Sequence, residues 1–244
     1  MEIRFDQQVA ILTGAGRGLG RAHAIAMASK GAKVVVNDFS GSQEISENAN
    51  SVVEEIISAG GEAIANGANV ANFDQVQSMV NKTIDKWGRV DILVNNAGIL
   101  RDKTFLKMSV EDMREVIDVH LIGSLNCSKA VWETMREQNY GRIVLTSSSS
   151  GLYGNFGQTN YGAAKMAMLG IMNTLHLEGM KYNIKVNCLA PTAGTAMTDG
   201  LFPEPVFKLM PPESVSPGVV FLCSKDAPSR KVLAAGGGSF AIFK

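Results

Sequence analysis

The sequence has no excess of charge of either sign, because 23 lysines and arginines balance 23 aspartates and glutamates. This balance gives no electrostatic reason to expect a nucleic acid or an anionic membrane as a partner. No apolar run approaches the roughly 20 residues that a membrane-spanning helix needs. Residues 1–8 are polar and lead into a predicted strand, which is not the pattern of a signal peptide. The sequence therefore predicts neither a nucleic-acid partner nor a membrane partner.

Cysteine is also scarce. The chain has three cysteines, Cys127, Cys188 and Cys223, which are far apart and odd in number. Their spacing fits neither a metal site nor a disulfide framework, so we expect free thiols in a reducing compartment and no metal. The chain ends in Ala-Ile-Phe-Lys, which differs from a peroxisomal Ser-Lys-Leu signal. These features predict a cytoplasmic protein.

The sequence does contain short β-rich runs that alternate with longer amphipathic stretches. The predicted strands are 9–12, 33–37, 63–65, 92–94, 142–146, 185–188 and 232–234, and the predicted helices are 20–30, 43–59, 73–87, 109–138 and 158–181. Ser109 and Asp112 are predicted to form a capping box at the start of the fourth helix. Alternating strands and helices predict an α/β fold, a Rossmann-type doubly wound parallel sheet with helices on both faces.

No repeat or linker divides the chain, so residues 1–244 are predicted to form a single domain. Residues 190–217 hold six of the seven prolines. Long irregular segments inside compact domains are usually functional. We therefore interpret 190–217 as a loop that covers the substrate.

A glycine-rich turn follows the first predicted strand and opens the first predicted helix. It contains Gly14, Gly18 and Gly20, with Arg17 and Leu19 between them. Glycines let a phosphate approach the main chain, and the N-terminus of the helix offers unpaired N–H groups and a positive dipole end. Such loops also close ordinary turns, but this order of strand, loop and helix favours a dinucleotide-binding loop.

Asp38 ends the second predicted strand. A carboxylate there accepts hydrogen bonds from the adenosine ribose and repels the additional phosphate of NADP. The sequence therefore predicts NAD as cofactor. The alternatives are that Asp38 is an ordinary turn residue, or that Arg17 holds the phosphate of NADP.

Tyr161 and Lys165 are four residues apart in a predicted helix, so both side chains lie on one face. A nearby cation lowers the pKa of a phenol, which can then exchange a proton with an alcohol or a carbonyl. Ser148 follows the fifth predicted strand, where its hydroxyl could stabilise charge on the reacting oxygen. Residues 147–150 are all serine, so the serine that faces the site is not determined.

These motifs together resemble the short-chain dehydrogenase/reductase family over essentially the whole chain. The matching segments are 13–20, 95–98, Ser148, Tyr161 and Lys165. The resemblance implies a single doubly wound domain assembled as a homodimer or homotetramer. It also implies that Tyr161 and Lys165 contact the cofactor, with Lys165 holding the nicotinamide ribose. Further cofactor contacts are expected from Asn96, Ala97, Gly98, Asn69, Val70, Pro191, Thr192 and Gly194. Asn69 departs from the aspartate that is frequent in the family, although an amide can still form the hydrogen bond.

A closer resemblance is to the (3R)-hydroxyacyl-CoA dehydrogenase units of peroxisomal multifunctional enzymes of type 2, which use NAD. The segments that carry it are 95–102, 118–121, 138–143, 153–158 and 190–198. His120 stands where most of the family has an active-site asparagine that holds a water in a proton relay. His120 either replaces that asparagine or only packs. Because the sequence contains no hydratase or sterol-carrier part, we expect the chain to be a free-standing relative of these enzymes.

These features predict an NAD-dependent enzyme that interconverts a secondary alcohol and a ketone. The resemblance favours a 3-hydroxyacyl or 3-oxoacyl thioester as the small-molecule substrate. A steroid or another hydrophobic alcohol is the alternative, because Met197 and Met210 suit an adaptable apolar pocket as well as a core. A non-catalytic dinucleotide sensor on the same fold is a second class of function, against which Tyr161 and Lys165 argue.

Overall fold

The computed structural model describes residues 2–42, 44–198, 200 and 203–243. Within these residues the centre of the molecule is one eight-stranded sheet in the order β3-β2-β1-β4-β5-β6-β7-β8. The strands are β1 (Val9–Thr13), β2 (Lys33–Asn37), β3 (Glu62–Asn66), β4 (Ile92–Asn95), β5 (Gly141–Thr146), β6 (Ile184–Thr192), β7 (Val232–Gly236) and β8 (Ser239–Phe243). All neighbours pair in parallel except β7 and β8, which are antiparallel.

Helices cover both faces of the sheet. They are α1 (Gly18–Ser29), α2 (Glu47–Ser58), α3 (Phe73–Trp87), α4 (Val110–Ile117), α5 (Gly123–Glu137), α6 (Ser149–Tyr153), α7 (Thr159–Gly179), α8 (Glu204–Lys208) and α9 (Ser216–Cys223). A π-helical turn, Asp118–Ile122, joins α4 to α5. The predicted fold class is therefore confirmed.

The central strands explain why both faces are covered. β1, β4 and β5 are buried along their whole length. Alternate residues of neighbouring strands enter two separate cores: Leu12 and Val34 on one face, Ile11 and Val35 on the other. Strands that are apolar on both faces are typical of a parallel sheet between two helical layers.

The strand order reverses between β1 and β4, because β2 and β3 lie on one side of β1 and the remaining strands lie on the other. In open α/β sheets, ligands bind outside the carboxyl ends of the strands at such a switch point. The glycine loop after β1 and the segment 95–98 at the end of β4 both lie at this point.

The proline-rich segment 190–217 is more regular than the sequence predicted. Its first residues continue β6, so Pro191 and Thr192 are paired with β7. The N–H of Cys188, three residues earlier, donates to the carbonyl oxygen of Lys231, just before β7. Leu189 pairs with Thr146, the last residue of β5. Successive N–H groups of a strand point alternately to its two neighbours, so the nitrogen of Pro191 points towards β5. Because β5 has already ended there, the missing N–H of proline costs no hydrogen bond between strands.

Two further elements were missed near the C-terminus. Helix α9 begins at Ser216 with Pro217 in its first turn, where proline is well tolerated because that N–H has no partner in the helix. Strand β8 follows a tight glycine turn and is largely exposed. An exposed edge strand lacks the buried apolar pattern by which the other strands were predicted.

The bounds of several predicted helices also change. Helix α2 begins at Glu47 rather than at residue 43, which lies outside the described residues, because the Ser46 side chain caps it. The predicted helix 109–138 is divided by the π-helical turn. The capping box of Ser109 and Asp112 is present. Helix α6, which follows β5 directly, was not predicted.

No helix in the described part of the chain is both long and apolar enough to cross a membrane. Over the same residues, no group of three or more histidine, cysteine, aspartate or glutamate side chains could hold a metal ion.

Candidate active site

In the glycine loop, backbone segments lie unusually close to one another. Gly14 and Gly18 have φ angles of 60° and 55°, which L-residues rarely adopt. A Cβ atom on Gly20 would overlap the carbonyl oxygen of Gly14 and lie 2.7 Å from Nδ2 of Asn96. The sequence therefore needs glycine here for the shape of the loop itself.

Thr13 fastens the glycine loop to the end of β4. Its Oγ1 accepts hydrogen bonds from the backbone N–H groups of Asn96 and Ala97, each at 3.0 Å. In return, Nδ2 of Asn96 donates to the carbonyl oxygens of Thr13 and Gly14, at 3.1 and 3.0 Å. These four hydrogen bonds fix Asn96 and Ala97 against the glycine loop. The sequence did not identify Thr13 as the residue that fixes them.

The N-terminus of α1 fits an anionic group. Its N-cap is Arg17, which has extended backbone and makes no side-chain cap, and its first turn carries no acidic residue. The first N–H groups of a helix have no partner within the helix, so an uncapped start presents them to a ligand. Arg17 is exposed, whereas Leu19 is half-buried. The glycine loop and this helix start together suit the pyrophosphate of a dinucleotide.

Asp38 lies beside the glycine loop, directly after β2. Its carboxylate is half-buried, and Oδ2 accepts a hydrogen bond of 2.8 Å from the Ser46 hydroxyl. A Cβ atom on Gly16 would lie 2.6 Å from Cγ of Asp38. The carboxylate therefore lies against the glycine loop, and its contact with an adenosine ribose stays a prediction.

Asn69 and Val70 follow β3 on the same side of the sheet. Oδ1 of Asn69 accepts from the N–H of Ala71 at 3.0 Å, so the side-chain NH2 group is the part that can donate to a base. Val70 is buried, and a Cβ atom on Gly123 would meet it at 2.7 Å. Their contact with an adenine stays a prediction.

Tyr161 and Lys165 lie in the first turns of α7, as predicted. Nζ of Lys165 lies 5.5 Å from the centroid of the Tyr161 ring. The lysine is 4% exposed, and Nζ donates to the carbonyl oxygen of Thr146 at 2.7 Å. The backbone at the end of β5 thus fixes the ammonium beside the phenol.

Burial changes the acidity of both groups. It lowers the pKa of Lys165 to about 7, because the ammonium has lost its water. It also raises the pKa of Tyr161, which hydrogen bonding with the Ser148 hydroxyl partly offsets. In the protein alone, burial is the largest influence on the pKa of Tyr161, and lowering of that pKa by Lys165 stays a prediction.

The structure distinguishes the four consecutive serines. Ser147 is buried, and its hydroxyl donates to the backbone oxygen of Lys165 at 2.8 Å, so it supports α7. Ser148 is half-buried and serves as the N-cap of α6, where it accepts from the N–H of Ser150 at 3.1 Å. Of the serine run, Ser148 is the residue whose hydroxyl lowers the pKa of Tyr161.

His120 lies in the π-helical turn and packs edge-on against Tyr161, with ring centroids 5.2 Å apart. Its Nε2 lies 3.0 Å from the backbone nitrogen and 2.8 Å from the carbonyl oxygen of Ile99. Burial, aided by the Lys165 charge, lowers the pKa of His120 to about 3. The imidazole is therefore neutral at physiological pH, and Nδ1 has no partner among the described residues.

Gly98 makes room for this histidine, because a Cβ atom there would overlap Cε1 of His120. The term catalytic floor is used below for four side chains, Ser148, Tyr161, Lys165 and His120. Asn160 supports the floor: its Oδ1 accepts from the N–H of Tyr161 at 2.8 Å, and its Nδ2 donates to the carbonyl oxygen of Arg101 at 3.2 Å.

The predicted nicotinamide end is closed by the segment after β6. The N–H of Gly194 donates to the carbonyl oxygen of Met210 at 2.6 Å. A Cβ atom on Gly194 would lie 2.8 Å from the carbonyl oxygen of Phe207, so α8 packs directly onto this glycine. Thr195 reaches within 3.7 Å of the Cβ position of Gly18. The segment thus spans from β6 to the glycine loop.

Exposed apolar side chains flank the N-terminal end of α7. They are Phe105, Leu106, Tyr153 and Phe156, which are 67%, 94%, 75% and 88% exposed, and are called the rim below. The two rim segments are joined by a hydrogen bond of 2.9 Å from the N–H of Lys103 to the oxygen of Gly157. Nε2 of Gln158 also donates to Asp102 at 2.6 Å.

The family model for short chain dehydrogenases matches residues 8–205. The chain is 48% identical over 238 residues to a Mycobacterium tuberculosis protein named as a short-chain type dehydrogenase/reductase, covering 96% of this chain and 83% of that one. It is 45% identical over 227 residues to a 3-oxoacyl-[acyl-carrier-protein] reductase of Synechocystis, with 90% of each protein covered.

The chain also matches part of a longer protein. It is 49% identical over 231 residues to peroxisomal multifunctional enzyme type 2 of Mus musculus, covering 92% of this chain and 31% of that protein. This chain therefore spans about a third of that relative. The match agrees with the closer resemblance inferred from the sequence.

Solved structures share the fold. A short chain dehydrogenase from Mycobacterium avium has a TM-score of 0.88 at 40% identity, with 98% of this chain and 86% of that chain covered. A 7α-hydroxysteroid dehydrogenase complexed with NADH and 7-oxo glycochenodeoxycholic acid has a TM-score of 0.87 at 30% identity, with 97% and 95% covered. The chain therefore belongs to the short-chain dehydrogenase family.

Proposed function

We propose that the protein is an NAD-dependent oxidoreductase that interconverts a secondary alcohol and a ketone, with Tyr161 as the acid and base. The observation that carries the proposal is the packing of Tyr161 beside Lys165, at the carboxyl end of the sheet next to the glycine loop. A phenol and an ammonium in a buried site supply the proton chemistry of carbonyl reduction.

The cofactor would be held by the residues that fit it. The glycine loop and the start of α1 would bind the pyrophosphate, and Asp38 would bind the adenosine ribose. Asn69 and Val70 would flank the adenine, while Pro191, Thr192 and Gly194 would line the nicotinamide end. When bound, the nicotinamide supplies the hydride acceptor or donor.

Tyr161 would transfer the proton at its phenolic oxygen. Because burial raises the pKa of Tyr161, the phenol is protonated at neutral pH and is ready to donate to a ketone oxygen. In the direction of oxidation it must first lose that proton, and a protonated Lys165 beside it favours the phenolate. Ser148 would donate a hydrogen bond to the substrate oxygen and hold it near the phenol.

His120 would orient the phenol rather than carry a proton. Its edge-on contact with Tyr161 restricts the ring, and its low pKa keeps it neutral. Of the two roles open to His120, the packing role has this support. A His120→Leu variant is expected to keep most of its turnover at saturating substrate if packing is the role, and to lose most of it if a proton relay is needed.

The favoured substrate is a 3-hydroxyacyl or 3-oxoacyl thioester. The support is that a related Synechocystis protein is named as a 3-oxoacyl-[acyl-carrier-protein] reductase and that the rim is apolar. A steroid is the second candidate, because a structural neighbour is a 7α-hydroxysteroid dehydrogenase complexed with a bile acid derivative. Rates with acetoacetyl-CoA, with 7-oxosteroids and with short free ketones, each followed by NADH absorbance, distinguish the two.

Replacement of Tyr161 by phenylalanine tests the reaction. The Tyr161→Phe variant is expected to lose acetoacetyl-CoA reduction by about a hundredfold to ten-thousandfold, because the proton donor is gone. Binding of NADH, measured by fluorescence titration, is expected to be retained. Full activity in the variant would refute the role of Tyr161, and a wild-type protein that binds NADH without turning over any carbonyl would favour the sensor.

Replacement of Asp38 tests the cofactor preference. Asp38→Ala is expected to lower the ratio of NADH affinity to NADPH affinity by at least about tenfold, since a charged hydrogen-bond acceptor and a repulsive charge are both removed. Neutralising Arg17 as Arg17→Gln is the matched comparison. A ratio that changes with Arg17→Gln and not with Asp38→Ala would reverse the assignment in favour of NADP.

We further propose that the chain acts as a single NAD-binding domain that assembles into a homodimer or homotetramer. Exposed apolar residues on α7 (Leu177) and β8 (Phe240 and Ile242) support assembly, and light scattering tests it.

The proposed compartment is the cytoplasm. It is supported by three buried free thiols, those of Cys127, Cys188 and Cys223, and cell fractionation tests it.

A further inference from the structure

Ser46 lies where the start of α2 meets the predicted cofactor cleft. Its side chain is buried, with 6% of the residue exposed. The hydroxyl oxygen accepts a hydrogen bond from the N–H of Ala49 at 3.0 Å, which makes Ser46 the N-cap of α2. The same oxygen lies 2.8 Å from Oδ2 of Asp38. One hydroxyl therefore serves two neighbours.

The direction of these two hydrogen bonds follows from the donors that are present. A serine hydroxyl has one proton to donate, and a backbone N–H can only donate. Since Ala49 donates to Ser46, the hydroxyl proton points to the Asp38 carboxylate. Within the described residues, no other side chain donates to Asp38. Ser46 thus fixes one carboxylate oxygen, and the other stays available to accept from a ligand.

Backbone contacts hold Ser46 in this place. Phe39 and Ile45 pair through an isolated antiparallel bridge, so the chain that leaves β2 returns beside it just before Ser46. The first turn of α2 also packs on the glycine loop, because a Cβ atom on Gly16 would lie 2.9 Å from Cβ of Asn48. The helix start, Asp38 and the glycine loop therefore form one packed unit.

We propose that Ser46 is a positioning residue for cofactor selection, which holds the Asp38 carboxylate in the orientation that favours NAD over NADP. The proposal rests on the proposed NAD dependence and deepens it. A free carboxylate rotates about its last side-chain bond, and it then meets the ribose hydroxyls in the correct orientation for only part of the time. A fixed carboxylate accepts from the diol without that loss of conformational freedom.

The test compares Ser46→Ala with a matched cap removal elsewhere. Ser109 caps α4 in the same way, accepting from the N–H of Asp112 at 3.0 Å, and it does not contact Asp38. Both alanine variants should lower the melting temperature. Ser46→Ala alone should weaken NADH binding, by about fivefold to tenfold, and reduce the NADH-to-NADPH affinity ratio by the same factor. Fluorescence titration with each nucleotide measures the ratio.

Two further variants keep the test valid if Ser46→Ala unfolds. Glycine caps a helix nearly as well as serine, so Ser46→Gly should retain stability and still lower the ratio. Ser46→Thr keeps the hydroxyl and should therefore keep the NADH-to-NADPH affinity ratio of the wild type. If the ratio in Ser46→Gly stays within about twofold of wild type while Asp38→Ala changes it, Asp38 selects the cofactor unaided and the role of Ser46 is wrong. If Asp38→Ala also leaves the ratio unchanged, the proposed NAD preference itself fails.

Discussion

The catalytic floor and the rim are close together at the carboxyl end of the sheet, yet they are held in opposite ways. In the floor, Lys165 and His120 are 4% and 2% exposed, and backbone oxygens fix both. In the rim, Leu106 and Phe156 are 94% and 88% exposed. The difference indicates that the side chains proposed for proton transfer are held rigidly, whereas the rim can change without disturbing them.

The largest effect is expected in the glycine loop, beside the floor. Gly20→Ala places a methyl group against the oxygen of Gly14 and Nδ2 of Asn96. We expect a loss of about 2–4 kcal/mol of unfolding free energy, from overpacking and backbone displacement. We also expect NADH binding to weaken by at least a hundredfold, about 2.7 kcal/mol. Urea unfolding and NADH titration measure the two effects.

The control is the same substitution at Gly170, a helical glycine of α7 with nothing within 4 Å of its Cβ position. There, alanine should stabilise the protein by about 0.5–1 kcal/mol through helix propensity and leave NADH binding unchanged. Equal effects at Gly20 and Gly170 would show that the glycine loop is not constrained as described.

The second prediction concerns the cost of a buried charge in the floor. Burial lowers the pKa of Lys165 to about 7, well below that of an exposed lysine. Between about pH 7 and pH 10 the unfolded chain therefore binds more protons at this site, so Lys165 costs less stability as pH rises. Lys165→Met should be more stable relative to wild type at low pH, and the difference should shrink by about 1.4 kcal/mol per pH unit.

Urea unfolding of both proteins across this range measures the slope. Lys107→Met, on the exposed segment that carries Leu106, is the matched variant and should differ from wild type by a constant amount. A parallel pair of curves for Lys165→Met and wild type would show that the ammonium is hydrated in solution.

The smallest effect is expected in the rim. Leu106→Ala and Phe156→Ala should each change unfolding free energy by less than about 0.5 kcal/mol, because little apolar area leaves the solvent at these positions on folding. Leu145→Ala in β5, which is fully buried, should cost about 2–5 kcal/mol.

Kinetics with thioesters of different chain length complete this comparison. If the rim contacts the acyl chain, Phe156→Ala should raise KM for a long 3-oxoacyl thioester and leave KM for acetoacetyl-CoA unchanged. A uniform change in kcat with both substrates would instead connect the rim to the chemistry and remove the contrast with the floor.

The sequence predicted the parts of the molecule that depend on local pattern. The valine-rich strand β2, the glycine loop and the Tyr161–Lys165 spacing each carry their signal within a few residues. The exposed strand β8 has no such signal, because its place is determined by pairing with β7. The role of Thr13 was missed for the same reason, since its partners Asn96 and Ala97 are more than 80 residues away.

Burial was the other quantity that local pattern did not give. The sequence placed Tyr161 beside a cation and predicted a lowered pKa, but the loss of water around both groups could be read only from the packed structure. Likewise, only the hydrogen-bond partners seen in the structure distinguish the serines of 147–150, because the four side chains are chemically identical.

The hydrogen bonds of Thr13 have a consequence for the order of events during folding. They join residues 83 and 84 positions apart in the chain, across the two halves of the sheet. Contacts of such long range form after the entropy of closing a large loop has been overcome. We therefore expect the nucleotide cleft to form late in folding, so that NADH binding returns after the helical signal when the protein refolds.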